Sequence, residues 1–280
     1  MSRPQAATLP DGRRLHLQHG PIDLVIEAWG DRSAVARAYG RARGRFDGLL
    51  EELVAELPAL RSADPQPLAG PIAQARAAAV AAYRPVFITP MAAVAGAVAD
   101  AVLAAMTAGG EIERAYVNDG GDIALHLTPG TAITAAIAGA GLPGRATVVH
   151  GDPVRGIATS GWRGRSFSLG IADAVTVLAA TAAEADAAAT IVANAVDLPG
   201  HPAIGRAPAV TLQADTDLGD RPVTISVGPL APPDVDRALA GGAQCAEALR
   251  ARGLIAAAAL FLQGEVRVIG PMAIEGTEDG

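Results

Sequence analysis

Residues 156–196 constrain this 280-residue chain more than any other stretch. They read Gly-Ile-Ala-Thr-Ser-Gly, then a β-like run, then an alanine-rich segment in which Asp186, Thr190 and Asn194 recur every four residues. That spacing puts the three polar side chains on one face of a helix and leaves Ala, Ile and Val for the other faces. Thr181 and Glu184 have the separation of a capping box, so Asp186 lies beyond the first turn, where no cap needs it. A carboxylate on an otherwise apolar helix is costly to bury unless something pairs with it. Two readings stay open. The face is a solvated polar stripe, or Asp186 and Thr190 are oxygen ligands for Mg²⁺, which is usually held by one or two carboxylates together with phosphate oxygens.

Around this stretch, helix and strand signals alternate irregularly. Two strands are expected within residues 13–28, on either side of Gly20-Pro21. A long helix starts at Asp31 or Ser33 and reaches about Leu60, with Gly40, Gly44 and Gly48 marking close packing or a break. Helices follow over 72–83 and 90–107, the second announced by Thr89-Pro90. Asp119-Gly120-Gly121-Asp122 reads as a tight turn between strands 115–118 and 123–127. Further strands are expected at 131–138, 145–150, 155–159, 174–180, 208–213 and 222–228. Helices are expected at 182–196 and 233–252, and a hairpin joins 254–262 to 265–270. This order predicts an α+β fold, layered, with mixed or antiparallel sheets and flanking helices. No clean linker marks a boundary, so residues 1–280 read as one domain, or as two intertwined α/β lobes.

Composition removes whole classes of function. The formal net charge of −7 gives no global basic field for nucleic acid. All 22 basic residues are Arg, which excludes Schiff-base chemistry, a lysine base and a Walker-type phosphate loop. Cys245 stands alone, so neither an internal disulfide nor a cysteine metal cluster can form, and it reads as a buried thiol. Met91–Met106 is apolar but short for a membrane span and carries Asp100. The polar N-terminus shows no signal core, and a soluble cytoplasmic protein is expected. Asp215, Asp217 and Asp220 lack the ligand order of a calcium loop and read as a turn. His150 and His201 read as turn residues, and His16, His19 and His126 show no metal spacing.

Four segments in order resemble the ApbE family of flavin transferases, which move FMN from FAD onto a protein threonine. Val117-Asn118-Asp119-Gly120-Gly121-Asp122-Ile123 is similar to that family's strand-Gly-Gly-Asp segment, and Gly156-Ile157-Ala158-Thr159-Ser160-Gly161 to its Ala-Thr-Ser-Gly segment. Ala174-Val175-Thr176-Val177 with Ala185-Asp186-Ala187-Ala188-Ala189-Thr190 is similar to its Val-Thr-Val strand and Asp-Ala-x-Ala-Thr helix. Ala95-Gly96 with Asp100 stands where the family has Lys-Gly-x-x-x-Asp. The resemblance implies an ApbE-like fold, FAD and Mg²⁺ as cofactors, and Asp186 and Thr190 as metal ligands. A backbone carbonyl within Ala92–Ala95 would join them. It implies flavin or nucleotide contacts at Asn118, Gly120, Gly121, Asp122, Thr159, Ser160 and Gly161. Arg163 and Arg165 follow as phosphate clamps, because Arg suits bidentate contact with anions. Trp162 and Phe167 are the nearest rings for stacking on a flavin.

The departures are as specific. Position 95 is Ala in place of Lys. The family's His-Ile-x-Asp-Pro-x-x-Gly stretch is missing between Ser160 and Ala174, where Trp162-Arg-Gly-Arg-Ser-Phe-Ser-Leu-Gly stands instead. The pattern matches a short cytoplasmic branch of the family. Two functions follow from it: a flavin-handling enzyme that transfers FMN or cleaves the FAD pyrophosphate with Mg²⁺, or a non-catalytic binding or accessory protein in sulfur or amino-acid metabolism. The expected partners are a flavin or other nucleotide and a partner protein, with neither nucleic acid nor membrane. No catalytic residue is assigned.

Overall fold

The computed structural model describes residues 3–137 and 144–274. In chain order its elements begin with β1 (Gln5–Thr8), β2 (Leu15–His19), β3 (Ile22–Gly30), α1 (Arg32–Phe46), α2 (Leu49–Ala55), α3 (Leu57–Leu60) and α4 (Pro71–Ala81). A 3-10 turn (Pro90–Ala93), α5 (Val94–Thr107), β4 (Ile112–Asp119), β5 (Asp122–Leu127), β6 (Ala132–Ile137) and β7 (Gly144–Val149) follow. The remainder is β8 (Gly156–Ser160), β9 (Ala174–Ala179), α6 (Ala182–Ala195), β10 (Ile204–Pro208), α7 (Ala209–Leu212), β11 (Pro222–Val227), α8 (Pro232–Ala251), β12 (Ala257–Leu262), β13 (Glu265–Ile269) and β14 (Ala273–Ile274). Residue 138, the end of one expected strand, lies outside the described residues. Helices and antiparallel sheets together make an α+β fold.

The chain separates into two units. The first comprises Met1–Ile133, Val148–Ile157 and Ala180–Ala185. Its strands run in the order β1-β2-β3-β4-β5, each antiparallel to the next. The first residues of β8 pair with β5, Gly156 with Ala124 and Ile157 with Ile123. Period-two burial fixes the register: Leu15 and Leu17 on β2, Leu24 and Ile26 on β3, and Ala115 and Val117 on β4 are all fully buried. Helix α1 is capped by Asp31, whose side chain accepts from the Ser33 and Ala34 N–H groups. It buries Ala34, Ala38, Ala42 and Phe46 at four-residue spacing.

The long helix expected to reach Leu60 is interrupted. Gly48 sits at φ 78°, a left-handed backbone that ends α1 and starts α2. Gly40 and Gly44 face open space, so of the three spaced glycines Gly48 makes the break. Thr89 caps the next helical stretch as expected, its hydroxyl accepting from the Met91 N–H. Residues 90–107 form an 18-residue stretch with mean hydropathy 1.6, so length alone does not exclude a span. Half of that stretch is buried, with Gly96, Ala97, Val98, Ala99, Val102, Leu103 and Met106 on the covered side of α5. Arg41 on α1 closes the far end of α5 by donating to the Ala105 and Met106 carbonyls at 3.1 and 2.7 Å.

The second unit comprises Thr134–Thr147, Ala158–Ala179 and Asp186–Gly280. Here the end of β8 borders β9, which pairs antiparallel with β12 and through it with β13. Every residue of β12 is buried, and the strand accordingly reads as an unbroken apolar run, Ala-Ala-Ala-Leu-Phe-Leu. A separate sheet has the order β14-β7-β6, and β10 pairs with β11. The strand expected at 208–213 lies earlier, at Ile204–Pro208. Pro208 closes the ladder, and the Thr211 hydroxyl donates back to the Pro208 carbonyl at 2.7 Å, winding Ala209–Leu212 into one helical turn.

Candidate functional site

Helix α6 carries the polar face read from the sequence. Asp186, Thr190 and Asn194 are half-buried while Ala187, Ala188, Ala189, Val192 and Ala193 are fully buried. The face is shared as the four-residue spacing requires. Its third member has a structural use: the Asn194 side-chain oxygen accepts from the Leu169 N–H at 2.9 Å and from the Ser168 hydroxyl at 3.3 Å. Asp186 and Thr190 place a carboxylate and a hydroxyl one turn apart, the hard oxygen donors that suit Mg²⁺. Among the described residues no three His, Cys, Asp or Glu side chains gather into a metal cluster. An ion held here would therefore take the rest of its shell from ligand oxygens or water, as Mg²⁺ ordinarily does. This donor set fits such an ion.

Within the first unit, the start of α6 is held differently from a full capping box. The Thr181 hydroxyl accepts from the Glu184 N–H at 3.2 Å. The reciprocal bond from the Glu184 carboxylate is not made among the described residues. A carboxylate from α5 caps the turn as well: Asp100 accepts from the next two donors, Ala182 N–H at 3.1 Å and Ala183 N–H at 2.9 Å. Burial of Asp100 against that first turn, reinforced by the nearby Glu184 charge, outweighs these bonds and pushes its pKa up to about 6. Two glycines make the approach sterically feasible. A Cβ on Gly96 would meet the Ala182 carbonyl at 2.2 Å, and one on Gly156 the Thr181 carbonyl at 2.0 Å. Gly96 and Asp100, one turn apart on α5, therefore form a paired seat and cap for α6.

The Thr159-Ser160-Gly161 segment of the second unit ends β8. Thr159 and Ser160 are half-buried, and the Thr159 and Thr176 hydroxyls bond at 2.8 Å. Gly161 adopts φ 151°, and a Cβ there would lie 2.7 Å from the Asp173 carbonyl, so this turn accepts only glycine. Trp162 and Arg163 then converge on Asp173, a buried carboxylate the sequence reading did not single out. One Asp173 oxygen accepts from the Trp162 indole N–H at 3.1 Å and from Arg163 Nε at 2.5 Å. The other accepts from the Gln263 N–H at 2.6 Å. The Arg163 guanidinium also lies over the Trp162 ring, 4.7 Å from its centroid. Arg165 is exposed and Phe167 half-buried. Asp173 was detectable in principle: it is a lone acid in the run Ile171-Ala172-Asp173-Ala174-Val175, the same kind of anomaly that drew attention to Asp186.

The glycine turn of the first unit is a two-residue hairpin, with Asp119 and Asp122 directly paired. Gly120 and Gly121 take φ 65° and 119°, and a Cβ on Gly121 would meet nothing within 4 Å. The pair is thus required by backbone conformation. The Asn118 side chain accepts from the Gly121 N–H at 2.8 Å and locks the turn. Asp119 is buried and accepts from the Asp23 N–H, whereas Asp122 is half-buried. His150 bonds the Leu127 carbonyl, and the His201 ring accepts from the Ala203 N–H, which are turn-stabilising uses. Cys245, expected as a buried thiol, is half-buried, and burial raises its pKa.

A UPF0280 protein from Methanothrix thermoacetophila is 38% identical over 113 residues, covering 39% of this chain and 46% of that protein. The chain thus matches under half the length of that curated relative. Among solved structures, the apo flavinyl transferase ApbE of Pseudomonas stutzeri aligns over 96% of this chain and 95% of its own at 12% identity, with a TM-score of 0.48. A histidine-to-glycine mutant of the flavin transferase ApbE from Vibrio cholerae aligns over 85% of this chain and 72% of its own, at 18% identity and a TM-score of 0.35. The family model described as AbpE bacteria matches residues 6–268, nearly the whole chain, and the protein belongs to that ApbE-like family.

Proposed function

We propose that this protein binds a flavin nucleotide, FAD in the first instance, with Mg²⁺ at its pyrophosphate. The observation that carries the reading is the half-buried Asp186–Thr190 pair on α6, inside a family match that spans residues 6–268. Asp186 would supply the charged metal ligand and Thr190 a neutral one. Mg²⁺ bound there would neutralise phosphate charge and polarise the pyrophosphate. The Thr159 and Ser160 hydroxyls and the Arg163 guanidinium are the groups of the second unit suited to phosphate oxygens. Arg163 is fixed on two sides before any ligand arrives, so little side-chain entropy is lost on contact.

A second reading, transfer of FMN or cleavage of FAD, adds chemistry to the same site. It is less well supported, because the Trp162–Leu169 segment that stands in place of the family's longer active-site stretch is committed to local structure. Its start is tied to Asp173 and its end to Asn194. Titration of the protein with FAD by calorimetry, with Mg²⁺ and then with excess chelator, tests the proposal. Saturable binding that weakens at least tenfold on chelation is expected. Heat identical to buffer dilution in both conditions would remove it.

A further inference from the structure

Asp173 has three donors on one buried carboxylate, and two of them belong to consecutive residues directly after the Thr159-Ser160-Gly161 turn. A buried acid needs such partners, but one cation and one amide would satisfy it. Holding the Trp162 indole as well fixes the plane on which the Arg163 guanidinium lies. The guanidinium is then held by its Nε edge and one face, while its side chain keeps 57% of its surface exposed. Among the described residues neither Nη group makes a hydrogen bond, so the end that remains is the one that can bind an anion with two parallel bonds.

The anchor is itself braced. Gln263 donates its N–H to Asp173 from a left-handed conformation, φ 48°, unusual for a residue with a Cβ. Its side chain explains why it stays there: the carbonyl oxygen accepts from Leu230 N–H at 3.0 Å and the amide donates to the Gly228 carbonyl at 2.7 Å. The Asp173 N–H is bonded to the Phe261 carbonyl, and Trp162 N–H to the Ala172 carbonyl. The cluster is thus pinned by backbone on both sides.

We propose that Asp173 is a positioning residue that presents the outer edge of Arg163 to a phosphate or pyrophosphate group, with Trp162 as the support and Gln263 as the brace. The inference deepens the flavin-phosphate reading and rests on it for the identity of the ligand. A double-mutant cycle tests it, using FAD and inorganic pyrophosphate as probes, each with Mg²⁺. Asp173→Asn and Arg163→Met should each weaken both probes about tenfold, the scale of one charge-assisted bond. The double variant should be no weaker than Arg163→Met alone, because Asp173 acts through Arg163. In a Trp29→Phe background, Asp173→Asn should shift the Trp162 fluorescence, and Arg163→Met should leave its indole bond in place.

Additive losses, or Asp173→Asn binding as tightly as wild type, would overturn the positioning role. If Asp173→Asn does not fold, Arg163→Lys serves: an ammonium held at Asp173 has no second edge, so a tenfold loss is expected and unchanged affinity overturns the proposal. Non-additive losses of pyrophosphate affinity across the cycle, in a protein that does not bind FAD, would remove the flavin reading and keep the role of Asp173. Binding of neither probe would remove both.

Discussion

Asp100 and Asp186 are two carboxylates associated with one helix, and the sequence marks them differently: Asp186 by its spacing, Asp100 only by its place in the Gly96-x-x-x-Asp100 segment, which says nothing of the cap it makes. Asp186 and Thr190 declare themselves through local spacing, which a sequence shows directly. Asp100 acts on Ala182 and Ala183 across 82 and 83 residues, and Asp173 on Gln263 across 90, where periodicity carries no information. Asn194 shares that spacing with Asp186 and Thr190, and its use as an acceptor for the Leu169 N–H is one that spacing does not show. Asp100 also yields a pH prediction. Its native pKa of about 6 lies above the ordinary 3.8, so between those values the native state binds more protons than the unfolded state. The stability it contributes is full below pH 3.8 and is lost as pH rises through 6. Two units correspond to roughly 3 kcal/mol. The unfolding free energy of wild type minus that of Asp100→Asn should therefore fall by up to about that amount between pH 4 and pH 7. Denaturant titrations across this range measure it, and a difference flat in pH contradicts the assignment.

At the scale of elements, most helices and strands were readable because their burial follows periods of two or near four. Two of the misses have local physical causes: Gly48 turns the chain at φ 78° inside a helical pattern, and Pro208 with Thr211 converts an apolar run into a helical turn. The glycines also separate into kinds that sequence cannot distinguish. A Cβ added to Gly44 on α1 would meet nothing within 4 Å, whereas one on Gly156 would face a carbonyl at 2.0 Å. Gly44→Ala should raise stability by about 0.5–1 kcal/mol through helix propensity. Gly156→Ala should lower it by about 1–3 kcal/mol or more, as β8 and the start of α6 are forced apart. Thermal unfolding of the two variants separates these outcomes, and equal effects would show that the close contact at Gly156 is relieved at no cost.

Across the whole molecule, the α+β class was predictable from the irregular alternation of elements, and the family from four short motifs in order. The division into two units was not traceable to a linker, since each unit is assembled from three separate stretches of chain. Of the candidate site, the α6 face and the Thr-Ser-Gly turn stand out in the sequence, whereas the Asp173 cluster depends on contacts between distant residues. The short Trp162–Leu169 segment predicts that incubation with FAD, Mg²⁺ and an acceptor peptide leaves the peptide without covalent FMN by mass. Efficient labelling would show that this segment supports transfer after all. The central claim, a Mg²⁺-dependent flavin nucleotide site on α6, is tested most directly by calorimetry with FAD and Mg²⁺ on wild type, Asp186→Ala and Thr190→Val. The account predicts that Asp186→Ala loses metal-dependent affinity at least tenfold and Thr190→Val loses less, because a carboxylate contributes more to Mg²⁺ than a hydroxyl does. Equal affinity in wild type and Asp186→Ala would contradict it.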